Sequence, residues 1–328
     1  MIRAAPTDRQ KGQAMSTTTV VICTFNRPEP LRRAVETARA QQLSPGRSAE
    51  LLVVDNSPDG NAREAMRALA AGPGLPLRYL SATIPNISNA RNAGVQASKG
   101  DFLVFLDDDE RCEPGWLDAL VGTAEATGAD LVFGAVLPEF PGGAPEWDPS
   151  GRAYERRMAL PTGTRIGIDH DAAISGRWIG TGNSLLRRAT CLAGDPPFDP
   201  ALGACGGEDY DLFVRLHRAG RHFAWCGEAV VHELVPANRT TMDYARHSHR
   251  RGGQMWAAVT VRRSSQPAMQ AARIGVRALV QLGLVGARLV LHRLRGGSLG
   301  PVSANRDDLK LAEVKGKLVW WTALRAGR

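Results

Sequence analysis

The feature that most constrains the fold is a set of short, unbroken apolar runs, each stopping at a polar turn. Residues 18–25 (TTVVICTF) end at Asn26-Arg27-Pro28, and residues 51–55 (LLVVD) end at NSPDG. Residues 102–106 (FLVFL) run directly into Asp107-Asp108-Asp109. Segments of helical periodicity separate them: LRRAVETARAQQL after Pro28, then 62–70, then 87–97, with a short strand at 77–80. Strand and helix in alternation predict a parallel α/β sheet. Runs without polar interruption predict strands covered on both faces.

Beyond Pro114 the pattern predicts a helix (GWLDALVGTAEA) and a strand at 130–137. Residues 138–175 dissolve into Pro, Gly and charge, which reads as a long surface excursion of the kind that often carries function. Order returns at 178–187, followed by a helix at 208–218 and two strands at 222–225 and 229–233. No internal repeat is visible.

Composition narrows the class. Hydrophobic residues at 43% and charged residues at 23% are ordinary globular values, which excludes a disordered chain, a collagen-like fibre and a disulfide miniprotein. Cys23, Cys112, Cys191, Cys205 and Cys226 lie far apart with no CxxC pair, so reduced thiols are expected and a zinc site is not. Residues 1–16 have no apolar core of a secretory signal and read as a disordered polar tail. No segment reaches the ~18 uncharged apolar residues of a spanning helix, so an integral membrane protein is not expected. GxGxxG after the first strand, GxxxxGK[ST] and GxSxG are all missing, which argues against dinucleotide binding, a P-loop and a hydrolase elbow.

Ligands of open α/β sheets bind beyond the carboxyl ends of the strands. Asp55 at such an end is explained equally well as a turn or capping residue. Three successive acids are different: Asp107, Asp108 and Asp109 repel one another, and a cation relieves the repulsion.

Taken together, CTFNRPEPLRRAVE, VVDNSPDG and ISNARNAGVQASKGDFLVFLDDDE, in that order and spacing, resemble family 2 glycosyltransferases of GT-A fold. The resemblance spans residues 18–236. TGNSLLRR at 181–188 is similar to the family's acceptor-side strand, and GGEDYDLFVRLHRAG to its Glu-Asp motif. It implies metal-dependent transfer of a sugar from a nucleotide sugar, a UDP-sugar foremost, to a carbohydrate or lipid-linked acceptor, with inversion. The implied base is Asp209, whose carboxylate neighbour would raise its pKa. Asp211 is implied to support the site from behind, beside Glu208. Asp107 and Asp108 would face the nucleotide, and Asp109 would bind the metal, which stabilises the leaving diphosphate. His232 is implied as a further metal ligand, tilting the choice between Mg²⁺ and Mn²⁺ towards Mn²⁺; its alternative is a packed strand histidine. Thr24, Asn26 and Arg27 would line the nucleotide, and Asp55 would accept the base's imide N–H. Asn86 and Arg91 share a helix from which Arg91 would pair with the pyrophosphate, unless it forms a surface ion pair. Asn183 would orient sugar hydroxyls. Trp147 and Trp178 would stack on a sugar or pack. His247, Arg250 and Arg251 match loosely a position that faces the diphosphate. The polymerising members' QxxRW is missing.

The charge is segregated. Residues 262–328 hold thirteen Lys and Arg against three acids, a local +10 that leaves −2 for the remainder of a chain of net charge +8. In RIGVRALVQLGLVGARLVLHRLR, Arg277, Arg288 and Arg295 fall on one side of a helix, the pattern of an amphipathic helix lying in a membrane surface. A stretch at 309–324 ends in Trp320-Trp321 beside lysines, an interfacial composition. Packing on the catalytic domain or homodimerisation explains the same stretches; nucleic acid finds no supporting motif. The expected organisation is a tail (1–16), a nucleotide-sugar half (17–110), an acceptor half (111–236) and a basic helical extension (237–328), in a cytoplasmic protein peripheral to the inner membrane face. A nucleotidyltransferase acting on sugar phosphates is the alternative activity, although its Gly-rich phosphate loop is missing. A sugar-binding module without catalysis is a third reading, opposed by the intact acidic motifs.

Overall fold

The computed structural model describes residues 16–168, 179–194, 196–294 and 301–325. The first half alternates strictly: β1 (Ser16–Thr24), α1 (Pro28–Arg39), β2 (Arg47–Asp55), α2 (Arg63–Ala70), β3 (Leu77–Ser81), α3 (Ile87–Ala97) and β4 (Phe102–Asp107). Then follow β5 (Glu110–Cys112), α4 (Trp116–Thr127), β6 (Leu131–Glu139), β7 (Arg165–Ile166), β8 (Ser184–Arg187), α5 (Arg188–Cys191), α6 (Glu208–Arg218) and β9 (Phe223–Leu234). The chain ends in α7 (Met242–Arg262), α8 (Pro267–Leu294) and α9 (Pro301–Leu318).

Among the described residues the strands form one sheet in the order β3-β2-β1-β4-β8-β6-β9-β5, with β7 added on β9. β1 to β4 are mutually parallel, and β8 runs antiparallel between β4 and β6. The sheet is covered on both faces, as the unbroken apolar runs predict. Period-two alternation divides each strand between two cores: Val20, Ile22, Val104 and Leu106 pack under α1, α2 and α4. Val21, Leu103 and Phe105 pack with residues of α3, α6 and α7. The mixed sheet with flanking helices is the fold class expected.

Register sets the site. Thr24 lies opposite Asp55, Cys23 opposite Asp107, and Asp55 opposite Ser81. The carboxyl ends of four strands therefore finish level along one rim. Pro28 starts α1 where an N–H has no helical partner, and Asn86 caps α3 by accepting from Asn89 N–H at 3.2 Å.

Three sequence expectations change. The strands at 222–225 and 229–233 are one strand, β9, which passes an irregularity opposite Gly134/Ala135 and pairs with β6 on both sides of it. The 138–175 excursion is not confined to the surface: Arg156 bridges back to Val136, and β7 joins the sheet. Residues 169–178, which include the end of that excursion and Trp178 beyond it, lie outside the described residues, as do residues 1–15 of the expected tail. Finally, 267–291 of α8 are long and apolar enough, by length and composition, to cross a membrane.

The extension packs on itself. α7 and α9 cross at two glycines, where a Cβ on Gly253 would meet Glu313 O at 2.1 Å and one on Gly316 would meet Arg250 O at 2.0 Å. Lys317 lies 5.0 Å from the Trp256 ring centroid, and Trp320 joins the small core of Ala257, Val261 and Ile274.

Candidate active site

The rim formed by β1, β2 and β4 opens into a cleft of about 450 Å³ lined by Thr24, Arg27, Asn56, Asn86, Asp107, Asp108, Asp109, Glu233 and Arg239, among others. Arg27 clasps the acidic turn: its guanidinium donates to Asp108 at 2.6 Å and to Asp109 at 2.7 Å. Thr24 donates its hydroxyl to Asp108 at 2.7 Å. Arg239 reaches Asp109 at 3.5 Å. Asn26 holds a left-handed backbone (φ 53°) just before Arg27, and its Oδ1 accepts from Asn61 at 2.8 Å.

Behind the rim, Glu110 links the acidic strand end to the excursion. Its Oε2 accepts from Asp107 N–H at 3.0 Å, and its Oε1 from Arg156 at 2.9 Å. Gly180 and Gly182 leave room for this cluster. A Cβ on Gly182 would meet Asp107 Oδ2 at 2.4 Å, and one on Gly180 would meet Arg156 Nη1 at 2.4 Å and lie 3.9 Å from Asp209 Oδ2. Asp209 is half-buried in the first turn of α6, which follows the left-handed Gly207.

Charge is concentrated here. Burial, with help from Asp109 and Asp209, raises the Asp107 carboxyl against the pull of Arg91 and Arg156. Burial pushes Asp108 up to about 6 despite Arg27 and Thr24. Burial and Asp107 raise Glu110, and burial, Asp109 and Asp107 raise Glu233. Glu208 is raised by burial and by Asp209, with Arg91 opposing. The carboxylates of Asp107, Asp108, Asp109, Glu110, Glu233, Glu208 and Asp209 outnumber the guanidiniums of Arg27, Arg91, Arg156 and Arg239. Cys23, in the cleft wall, is pushed up to about 12 chiefly by burial, which disfavours its thiolate at neutral pH.

Several sequence candidates have other tasks. Asp55 is fully buried and accepts from Ser57 N–H (2.9 Å), Ala62 N–H (3.1 Å) and Tyr79 O–H (2.8 Å); the cleft wall at this strand end is Asn56. Asn86 borders the cleft, but its amide caps α3 and donates to Pro200 O at 3.1 Å. Arg91 is neither in a surface pair nor among the residues lining the cleft: it is buried, bonded to Glu208, with its guanidinium 5.7 Å from the Phe198 ring centroid. Asn183 has no free amide group facing a sugar. Its Oδ1 accepts from Trp116 Nε1 at 2.7 Å, and its Nδ2 donates to Ala135 O and Ala229 O at 2.8 Å each. Asp211 is fully buried and binds Arg215 and Arg263, tying α6 to the end of α7. His232 Nε2 lies 2.7 Å from Glu113 and lines a shallow second pocket beyond Asp109, while the next residue, Glu233, faces the cleft. Trp147 donates to Thr240 O at 2.7 Å and packs on Tyr154. His247 and Arg250 are exposed and Arg251 holds Cys205 O; the cation reaching the cleft from this region is Arg239.

Arg156, Glu110, Glu233 and Arg239 escape motif reading because the fold, not local spacing, gathers them. Phe25, 46% exposed on the cleft wall, carried a signal: an aromatic residue just past a strand end, before a turn.

Comparison with known proteins supplies a context for this geometry. The family model described as "Glycosyl transferase family 2" matches residues 19–180. The succinoglycan biosynthesis protein ExoM of Rhizobium meliloti (strain 1021) is 33% identical over 294 residues, 89% of this chain and 88% of that protein. A glucosyl-dolichyl phosphate glucuronosyltransferase of Haloferax volcanii is 33% identical over 135 residues, 40% of this chain and 41% of that protein. Among solved structures, TarS 1-349 of S. aureus in complex with UDP-GlcNAc aligns with a TM-score of 0.56 at 13% identity, covering 78% of this chain and 69% of TarS 1-349.

Proposed function

This chain belongs to glycosyl transferase family 2 and is a nucleotide-sugar glycosyltransferase of GT-A fold, and from that premise we propose that it transfers its sugar with inversion, aided by a divalent cation, to a hydroxyl of a lipid-linked saccharide. The observation that carries the reading is the acidic strand end Asp107-Asp108-Asp109, opening into a cleft at the carboxyl rim of the sheet. The nucleotidyltransferase alternative is not favoured by any of these relatives.

The donor set fits a hard cation. Asp107 and Asp109 offer carboxylate oxygens in a cluster where burial and neighbouring acids raise Asp107, Asp108 and Glu233, a crowding that a bound cation would relieve. Mg²⁺ and Mn²⁺ typically take one or two carboxylates and fill their shell with substrate phosphate and water. Such an ion supplies Lewis-acid stabilisation of the departing diphosphate. His232 shares a pocket with Asp109 and has Glu113 as its hydrogen-bond partner, so the donors facing the cleft are carboxylates, which serve Mg²⁺ and Mn²⁺ alike.

The chain's own residues do the rest. Arg27 and Arg239 both touch Asp109 and line the cleft, so each can exchange that contact for a diphosphate oxygen. Phe25 offers an exposed ring to the nucleotide base. Asp209 takes the proton of the acceptor hydroxyl as that oxygen attacks the sugar's C1; the bond from C1 to the diphosphate breaks on the opposite face. Arg156 positions Glu110, and through it the backbone of Asp107.

The names of two relatives support the proposed acceptor class. One is named for succinoglycan biosynthesis and one for a dolichyl phosphate-linked glucose. Both names support a carbohydrate acceptor in polysaccharide or lipid-linked glycan assembly. The test is release of nucleotide from UDP-, GDP- and dTDP-sugars with Mg²⁺, Mn²⁺ or EDTA. Metal-dependent turnover of a UDP-sugar is expected; turnover of no donor in the panel would overturn the reading.

A further inference from the structure

We propose that α8 lies flat on an anionic membrane surface, its apolar stripe immersed and its arginines level with the lipid phosphates. The proposal extends the reading of a lipid-linked acceptor but rests on a different part of the chain.

One side of α8 is already occupied. Ile274, Ala278 and Val285 are buried in the helical extension. The other side is open along the described helix: Val276 (63% exposed), Leu279 (59%), Val280 (58%), Leu284 (62%), Leu291 (49%) and Leu294 (77%). At 100° per residue these six fall within an arc of about 140°. Arg277 and Arg288, both exposed, fall just beyond one edge of that arc, and exposed Arg273 falls just inside it. Residues 267–294 contain no acid. A continuous aliphatic stripe with a cationic border matches a bilayer interface, where apolar side chains enter the acyl boundary and basic ones meet phosphate.

Two other occupants fit less well. A second copy in a two-fold contact would set α8 against α8. Its arginines would then gather with no acid on either helix to relieve them. A spanning orientation meets the length requirement, but α8 packs along α9, whose surroundings are ionic. Asp308 pairs with Arg246 at 2.7 Å, and Glu313 pairs with Lys317 at 2.7 Å. Burying α8 across a bilayer would carry those charges into hydrocarbon.

The test is flotation of the full-length protein with vesicles of phosphatidylglycerol and phosphatidylcholine, or of phosphatidylcholine alone, at low and high salt. The variants are V276E/V280E/L284E, on the open stripe, and R277Q/R288Q, on its border. Wild-type protein is expected on the anionic vesicles, less so at high salt. The glutamate variant should lose at least ~10²-fold in partitioning, and the glutamine variant ~10-fold. Nucleotide release from a donor in the absence of vesicles should be unchanged in both, which reports folding and separates failure of docking from failure of the catalytic reading. Wild-type protein that ignores anionic vesicles, or a glutamate variant that floats as wild type does, overturns the proposal. So does a wild-type dimer that the glutamate variant converts to a monomer without any vesicle binding, which would assign the stripe to a second copy.

Discussion

Arg156 Nη2 lies 2.9 Å from Glu110 Oε1, and the other oxygen of that carboxylate accepts from the backbone of Asp107. The excursion between β6 and β7 thus fixes the strand end that bears the acidic turn. Arg156→Ala leaves Glu110 buried without its partner. Such a loss typically costs about 3–5 kcal/mol, readable by urea unfolding. Arg156→Lys should restore most of that stability, and the alanine variant should shift the pH profile of kcat where a purely structural defect would lower it evenly.

Asp209→Asn keeps the shape of the side chain and removes its basicity. The expected loss in kcat is at least ~10², with donor affinity measured by calorimetry unchanged. Near-normal turnover would move the base elsewhere. Asp211 is then no substitute, since both its oxygens are committed to Arg215 and Arg263.

Asn183→Ala removes three buried hydrogen bonds, taking the acceptor from Trp116 Nε1 and the side-chain donor from Ala135 O and Ala229 O. At about 1 kcal/mol or more for each bond, the expected destabilisation is about 3 kcal/mol. The donor KM of the folded fraction should stay at the wild-type value. A raised KM with unchanged melting would restore the substrate-binding role.

Much of this was legible in the sequence, and the limits are physical. Unbroken apolar runs report burial on both faces, so the strands and the two-layered helical cover could be read directly. The acidic triplet could be read because like charges side by side need an external partner. Motif position alone did not disclose the partners of Asn183, Asp55 and Arg91, because a polar residue beside a strand or on a helix serves a ligand or the fold equally well. Only the partners decide: Trp116 for Asn183, Ser57, Ala62 and Tyr79 for Asp55, Glu208 for Arg91. His232 and Glu233 are neighbours on a strand, so a shift of one residue changes the face presented. Arg156 carried no readable signal, because its value comes from a bridge to Val136 that no local pattern encodes.

Asp55 makes stability depend on acid. Burial alone would raise its carboxyl, but hydrogen bonds from Ser57, Tyr79 and Ala62 outweigh it and hold the group below the ordinary carboxylate range. A depressed carboxyl contributes stability at neutral pH, which is lost as pH falls from about 4 through the folded value. Tyr79→Phe removes one of those bonds. It should cost about 1 kcal/mol at pH 7, and the difference from wild type should shrink towards zero in acid. A difference that stays constant down to low pH would detach Tyr79 from Asp55.

The proposed reaction is cation-assisted transfer with Asp109 at the metal and Asp209 as base. Its most direct measurement follows one UDP-sugar by proton NMR with Mg²⁺ or Mn²⁺, then with EDTA, for wild-type, Asp109→Ala and Asp209→Asn protein. Wild type with metal should release nucleotide and form a sugar product of inverted anomeric configuration. EDTA and Asp109→Ala should abolish both signals, and Asp209→Asn should slow them by at least ~10². Retained anomeric configuration, or full turnover in EDTA by wild type and Asp109→Ala alike, would contradict it.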